Sequence, residues 1–336
     1  MGVDISSLLD ASEVDLKTLK GRLLAVDAFN VIYQFLSNIR EYDGSPLKDK
    51  HGNITSHLSG LFYRNMNLLE AGIVPIYVFD GKPPALKDKT IKERIALKEK
   101  AEEEYRLSLA MGDYEKAKSF ASRTSRLTAE MISESKELLI SIGIAVVEAP
   151  SEGEAEASYL CRLGAVYSAV SQDYDSLLFG SPRLIRNLTI SGKRRYGRTG
   201  RVVEVKPEMI TNDDVLRKLG ITREQLVDMG ILIGTDFNDG IKGIGPKKAY
   251  QMIKKYGSLR NIPNITIENY EEIRDIFLNP DVVDPGHIKI PEMDEQKTLD
   301  ILVTNHDFSP ERVSSALGRV KEAKRQGVQR SIDSFF

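Results

Sequence analysis

The chain has 336 residues, 41% of them hydrophobic and 29% charged, the composition of a soluble globular protein with one large core or two modest ones. Its single cysteine, Cys161, excludes an internal disulfide, and no apolar run approaches the length of about 18 residues that a membrane-spanning helix needs. The net charge of −2 excludes no partner, since nucleic-acid binding depends on where basic residues cluster.

The N-terminus lacks a basic segment followed by a long apolar one, which points to a protein that stays inside the cell. The first strong element is Arg22-Leu-Leu-Ala-Val-Asp27, an apolar run too short for a helix, and it predicts a buried strand that ends in an acid. A helical pattern follows in Phe29, Ile32, Tyr33, Phe35, Leu36 and Ile39, then a polar loop over 41–53 and a second helix over 56–70. A strand over 73–79 again stops at an acid, Asp80. Two strands joined by a helical crossover imply a parallel pair, and a parallel sheet places its ligands beyond the carboxyl ends of its strands. An acid after one strand is ordinarily a turn former or helix cap. Its repetition is what argues for a site.

Residues 82–126 form a charged, helix-favouring region with twelve Lys and Arg against eight Asp and Glu. Most of these are read as a solvated face. Lys87 and Arg94 differ, because they follow Asp80 closely and, seven apart on a helix, share one side of it. An amphipathic helix is predicted over 124–142 and a strand over 144–147.

The stretch 149–175 is the acidic centre of the chain. Glu152 and Glu154 open a helix that runs through Cys161, a strand over 166–170 follows, and Asp173 and Asp175 leave its end. Four carboxylates brought into one volume repel and push one another's pKa values upward unless cations hold them. Oxygen donors with no adjacent His or Cys favour Mg²⁺ or Mn²⁺ over zinc. Glu156 is taken as a surface acid or one lying behind the ligands. Cys161, on an apolar helix face, reads as an inert buried thiol. Further strands are expected over 184–188 and 202–205, separated by a turn with five basic residues, which suits either a phosphate contact or a solvated hairpin. The alternation of strands and helices argues for an α/β fold, a central mostly parallel sheet flanked by helices.

Between 228 and 256 the pattern is helix, glycine hairpin, helix. Gly243 and Gly245 let backbone approach a ligand, Pro246 starts the next helix, and Lys247 and Lys248 stand beside its amide groups, a phosphate site that reads no base sequence. Asp236, just before the hairpin, adds a seventh acid.

Taken together, these motifs resemble the structure-specific 5′ nuclease family of flap endonucleases over nearly the whole chain. The residues that carry the resemblance are Gly2, Asp27-Ala-Phe-Asn with Tyr33-Gln-Phe, Phe79-Asp80-Gly-Lys-Pro-Pro, Ala149-Pro-Ser-Glu152-Gly-Glu154, Asp173-Tyr-Asp175, and Gly234-Thr-Asp236 leading into Gly243-Ile-Gly245-Pro-Lys. The resemblance implies that Asp27, Asp80, Glu152, Glu154, Asp173, Asp175 and Asp236 bind two Mg²⁺, directly or through water and with Mn²⁺ able to substitute, and that Lys87 and Arg94 face the scissile phosphate. It implies a helical arch over the 82–126 region that a 5′ single strand threads, and a helix-hairpin-helix that grips duplex backbone with a monovalent cation. Gly2, Tyr33, Gly243, Gly245, Lys247 and Lys248 are the expected DNA contacts, with Tyr33 stacking on a base, although a helix-face core aromatic has the same spacing. The implied reaction is two-metal hydrolysis of a phosphodiester in branched DNA bearing a 5′ flap, leaving a 5′ phosphate and a 3′ hydroxyl.

The chain closes on a basic stretch and then Gln329-Arg-Ser-Ile332-Asp-Ser-Phe335-Phe336, which resembles a sliding-clamp-binding box of archaeal form. Packing of the two phenylalanines back on the domain is the alternative. The expected organisation is a single nuclease domain over 1–322, with segments 1–105, 138–225 and a helix-hairpin-helix over 226–262, and a flexible tail over 323–336. The expected setting is a monomer in the cytoplasm or nucleoid of an archaeon, or in the nucleus if eukaryotic, with no membrane partner. A nuclease for gaps, bubbles or RNA hybrids and a clamp-bound scaffold without activity are the competing functions, separated by which junction is cut fastest and by the effect of Asp175→Ala.

Overall fold

In the computed structural model, alternate residues of two central strands point to opposite sides of one sheet. Leu24, Val26, Tyr77 and Phe79 enter the larger core, while Ala25, Ile76 and Val78 enter a smaller one on the other face. The structure describes residues 2–190, 192–196 and 201–333, with side chains described for 2–190 and 204–326.

The elements run in the order β1 (Ser12–Glu13), β2 (Leu23–Asp27), α1 (Ala28–Asn38), α2 (Ser56–Glu70), β3 (Val74–Phe79), α3 (Asp88–Ala110), α4 (Tyr114–Ala121), α5 (Ala129–Ser141), β4 (Ala145–Glu148), α6 (Gly153–Arg162), β5 (Ser168–Val170), α7 (Asp175–Leu178) and β6 (Arg183–Arg186). Then come β7 (Gly192–Tyr196), β8 (Arg201–Val205), β9 (Glu208–Thr211), α8 (Asn212–Leu219), α9 (Arg223–Ile233), α10 (Pro246–Tyr256), α11 (Tyr270–Leu278), α12 (Glu295–Leu299) and α13 (Pro310–Asp333). The main sheet has the order β1-β9-β6-β5-β2-β3-β4. Strands β2 to β6 pair in parallel, and β9 and β1 add an antiparallel edge. This is the mostly parallel α/β sheet expected from the sequence. Helices α1, α2, α5 and α13 cover one face, α6 covers the other, and a third core joins α7 through α11.

Two boundaries differ from the expectation for identifiable reasons. The charged region divides into α3 and α4 because Gly112 turns the chain with φ +72° and the Asp113 side chain accepts from Lys116 N–H to restart the helix. Helix α5 begins at Ala129, not at 124, because Thr128 caps it by accepting from Met131 N–H at 3.3 Å. The strand β9 and its short partner β1 are four and two residues long, too brief for a periodic signal. The basic hairpin is present as the β7–β8 pair, with Gly192 opposite Val205 and Tyr196 opposite Arg201.

Candidate metal centre and phosphate-facing residues

The sheet order delivers the acids. Strand β2 lies between β5 and β3, so Asp27 at the end of β2, Asp80 just after β3 and Asp173 just after β5 come from three adjacent strands at the same carboxyl edge. Asp27 also caps α1, accepting from Asn30 N–H at 3.0 Å. Asp80 is met by the start of α6, where Gly153 N–H donates to Asp80 Oδ1 at 2.7 Å. A β-carbon built on Gly153 would lie 2.6 Å from that oxygen, so strand end and helix start touch almost backbone to carboxylate.

From α6 come Glu152, at its N-cap, and Glu154, whose Oε1 accepts from Ser176 Oγ at 3.2 Å. Asp175 opens α7, is buried, and accepts from Val3 N–H at 2.7 Å. Asp236 reaches the group from a tight loop after α9. Gly234 (φ +115°) and Gly240 (φ +67°) shape that loop, Thr235 Oγ1 donates to Asn238 Oδ1 at 2.9 Å, and the carbonyl of Asp236 accepts from Thr90 Oγ1 at 2.8 Å. All seven predicted acids therefore belong to one locality formed by five separate segments.

Electrostatics bears on what they can hold. Burial pushes Asp27 and Glu154 well above the ordinary carboxylate range, with Asp80 adding to the effect on Asp27 and Asp27 to that on Glu154. Asp175 is pushed up to about 7, burial outweighing the Val3 hydrogen bond. Burial also raises Asp80 and Glu152, against the opposing charge of Lys87. Burial acts on Asp236 too, but the surrounding positive charges, Arg94 and Lys87 among them, outweigh it and hold its carboxyl below the usual range. Buried acids that raise one another in this way, with oxygen donors alone, fit a hard divalent cation. Among the described residues, the side chains as they stand do not close three donors on one point.

The two predicted basic residues point at this group. Lys87 pairs with Glu152 and lies 3.7 Å from Asp236, and Arg94 Nη2 lies 2.6 Å from Asp236 Oδ1, so both meet one carboxylate from one side of the α3 segment. Burial lowers the Lys87 pKa, but Glu152, Asp236 and Asp80 more than compensate and keep it charged. Tyr33 lies outside the core clusters, half-buried, with Lys98 Nζ 4.4 Å from its ring centre. Gly2 lies over the site, since a β-carbon there would fall 2.7 Å from the Asp175 carboxylate.

The helix-hairpin-helix is formed by α9, the turn through Gly243 (φ +85°) and Gly245, and α10 with Pro246 at its first position. Lys247 is exposed, whereas Lys248 Nζ donates back to the carbonyl of Gly243 at 2.9 Å and braces the hairpin. The side chains of Gln329 and Ile332, on the α13 backbone, and the residues Phe335 and Phe336 lie outside the described part of the tail.

Of the two readings of Glu156, the surface one is corrected. Glu156 is fully buried; its Oε2 accepts from Val283 N–H at 3.0 Å and ties the 280s loop to α6. Cys161 is buried as expected, its thiol 3.4 Å from the Tyr167 carbonyl. Sequence reasoning gave no role to Lys98, Arg186 or Asn30, although Asn30 closes the Asp27-Ala-Phe-Asn motif. Lys98 was legible in principle, four residues after Arg94 on the same helix face; the other two become visible only when the strand order is known.

Residues 1–101 match the XPG N-terminal domain and residues 143–236 match the XPG I-region. The chain is 49% identical over 338 residues to Flap endonuclease 1 of Pyrococcus abyssi, covering 100% of this chain and 98% of that one. It is 50% identical over 351 residues to Flap endonuclease 1 of Sulfurisphaera tokodaii, covering 99% and 100%. Among solved structures, flap endonuclease-1 from Methanococcus jannaschii superposes with a TM-score of 0.78 at 40% identity, covering 97% of this chain and all of that one. The catalytic core of Rad2 in complex with DNA substrate shares the fold at a TM-score of 0.69 and 24% identity, covering 92% and 96%.

Proposed function

Because the chain belongs to the flap endonuclease family of XPG-type nucleases, we propose how its residues divide the work of hydrolysing a phosphodiester at the base of a 5′ flap. The chain is a structure-specific 5′ flap endonuclease and 5′–3′ exonuclease that removes 5′ flaps in replication and repair. In our reading Asp27, Asp80, Glu152, Glu154, Asp173, Asp175 and Asp236 hold two divalent cations, Mg²⁺ with Mn²⁺ as a substitute. Such ions, when bound, supply a nucleophilic water at neutral pH and screen the leaving oxygen.

The chain's own residues bind and orient the strand. Lys87 and Arg94, released from Glu152 and Asp236, meet the scissile phosphate and stabilise the charge that develops on it. Tyr33 offers a ring face to a base, Gly2 leaves room beside Asp175, and α3 with α4 arches over the 5′ strand. The amide groups around Gly243 and Gly245, with Lys247 and a monovalent cation, grip duplex phosphates, while Lys248 braces that turn. Residues 1–322 act as one nuclease unit, a monomer, and residues 323–336 dock a sliding clamp through Gln329, Ile332, Phe335 and Phe336.

The observation that carries this reading is the delivery of Asp27, Asp80 and Asp173 by three neighbouring strand ends to one edge. A 5′-labelled double-flap DNA incubated with the protein and Mg²⁺, and mapped at nucleotide resolution, tests it. Cleavage at the junction that stops on chelation supports the assignment. Cleavage that persists with chelator, or in the Asp175→Ala protein, overturns it.

A further inference from the structure

The turn that carries Asp173 and Asp175 is held by side chains. Gln172 N–H donates to Asn30 Oδ1 at 3.4 Å, and the Gln172 carbonyl accepts from Arg186 Nε at 3.1 Å. Asn30 lies on α1 three residues after Asp27, and Arg186 ends β6. Since β5 runs between β2 and β6, the two side chains reach the turn from opposite sides.

Each makes a second contact on a candidate ligand or beside it. Asn30 Nδ2 donates to Asp173 Oδ2 at 3.1 Å, and its backbone N–H donates to Asp27 Oδ1 at 3.0 Å, so one residue ties acids from two strands together. Arg186 also donates to the Tyr174 hydroxyl, and its guanidinium lies 4.2 Å from the centre of the Tyr174 ring, between the two acids in sequence. Tyr174 is buried, so this contact fixes the middle of the turn.

The residue types are specific to the task. An amide gives Asp173 a donor and Gln172 an acceptor at once; a carboxylate would set oxygen against oxygen, and alanine would satisfy neither. A guanidinium presents donors in a planar fork and stacks on an aromatic face, which an ammonium cannot do together.

We infer that Asn30 and Arg186 are positioning residues that clamp the Gln172–Tyr174 turn from both sides and set the spacing of Asp27, Asp173 and Asp175 for cation binding. This rests on the metal role proposed for those acids. Neither side chain is a ligand; each acts through the carboxylates it orients, as supporting hydrogen bonds do at metal centres generally.

The test uses the full chain with Asn30→Ala and, from the other side of the turn, Arg186→Lys. Mn²⁺ alone, without DNA, is titrated calorimetrically, and flap cleavage is followed against Mg²⁺ concentration. The expected result is a loss of about tenfold in Mn²⁺ affinity for each variant. Cleavage should be recovered by raising Mg²⁺, with KM for flap DNA at saturating Mg²⁺ within about twofold of the parent, as uniform binding is untouched. Unchanged Mn²⁺ affinity in the two variants overturns the inference, and a raised KM alongside it reassigns them as DNA contacts. If Asn30→Ala does not fold, Arg186→Lys decides alone by the same readouts. A parent protein that takes up no Mn²⁺ brings down the metal assignment itself, which separates the two failures.

Discussion

Val3 N–H donates to Asp175 Oδ1 at 2.7 Å, joining the second described residue of the chain to an acid 172 positions later. The contact presses Gly2 against the same carboxylate, where a β-carbon would lie 2.7 to 2.8 Å from its atoms. Gly2→Ala should therefore displace Asp175 with little effect on the core. Flap cleavage is expected to fall by one to two orders of magnitude, roughly what about 1 Å of misplacement costs. Affinity for flap DNA measured in Ca²⁺ should stay within about threefold, because phosphate contacts elsewhere dominate it. Full activity in Gly2→Ala would show that the Asp175 position is not critical.

A second cluster lies away from the acids and gives a pH dependence. His306 Nδ1 lies 3.1 Å from Asp49 Oδ2 and its Nε2 lies 3.3 Å from Glu134 Oε1, with the Asp49 side chain fully buried. The two carboxylates raise the His306 pKa above 6.5, Glu134 most strongly, and hydrogen bonds from His306 and His57 lower Glu134 from 4.5 to about 2. The raised histidine stabilises the fold fully below 6.5, and that contribution is lost as pH rises through its folded value. The depressed Glu134 stabilises it fully above 4.5, and that contribution is lost as pH falls toward about 2. Both are complete between 4.5 and 6.5. The contribution of this cluster should be largest in that window, so His306→Ala should lower Tm most there and flatten the profile on its alkaline side. Parallel melting profiles for parent and variant from pH 5 to 9 would rule the linkage out.

Strand ends and acids were legible because burial writes a strong pattern: Leu23 to Asp27 and Val74 to Phe79 are apolar runs closed by a carboxylate or followed by one. Parallel pairing followed from the crossover, and it placed Asp27, Asp80 and Asp173 together before any coordinates. The features that were not legible depend on neighbours distant in sequence. Glu156 sits two residues after Glu154 on an acidic helix start, where the sequence leaves a surface place open beside one behind the ligands; the 280s loop covers it. The contacts of Asn30 and Arg186 with the turn after β5 appear only when β2 and β6 are placed on either side of β5. The break at Gly112 was readable from its turn chemistry; the Thr128 cap competes with a helical periodicity that runs through it.

Asp228 ties the helix-hairpin-helix to the chain beyond α10. It is buried on α9 and accepts from Leu259 N–H at 3.0 Å, the Tyr270 hydroxyl at 2.8 Å and Arg274 Nε at 3.3 Å. Asp228→Ala leaves three donors unmet, one of them charged and partly buried, and should cost about 3 kcal/mol of unfolding free energy. Because α9 supplies one arm of the hairpin, duplex affinity should fall more than the metal requirement of cleavage. A denaturant titration with an unchanged midpoint would remove Asp228 from this role.

The tail prediction separates tethering from chemistry. The acids and Lys87 and Arg94 all lie between residues 27 and 236, and α13 packs on α2 through Val313, Ala316, Leu317 and Val320, ahead of the segment to be deleted. Deleting residues 329–336 removes Gln329, Ile332, Phe335 and Phe336 without touching either group. Intrinsic flap cleavage should stay within about twofold of the parent, since no residue of the site is moved. Stimulation by a sliding clamp should disappear, because a tethered enzyme meets its junction at an effective concentration that the free enzyme lacks. Restoring only the two phenylalanines by fusion, without Gln329 and Ile332, should recover part of the stimulation, as the aromatic pair supplies most of the apolar area. Equal stimulation of the truncated and full chains would place the clamp contact elsewhere on the protein.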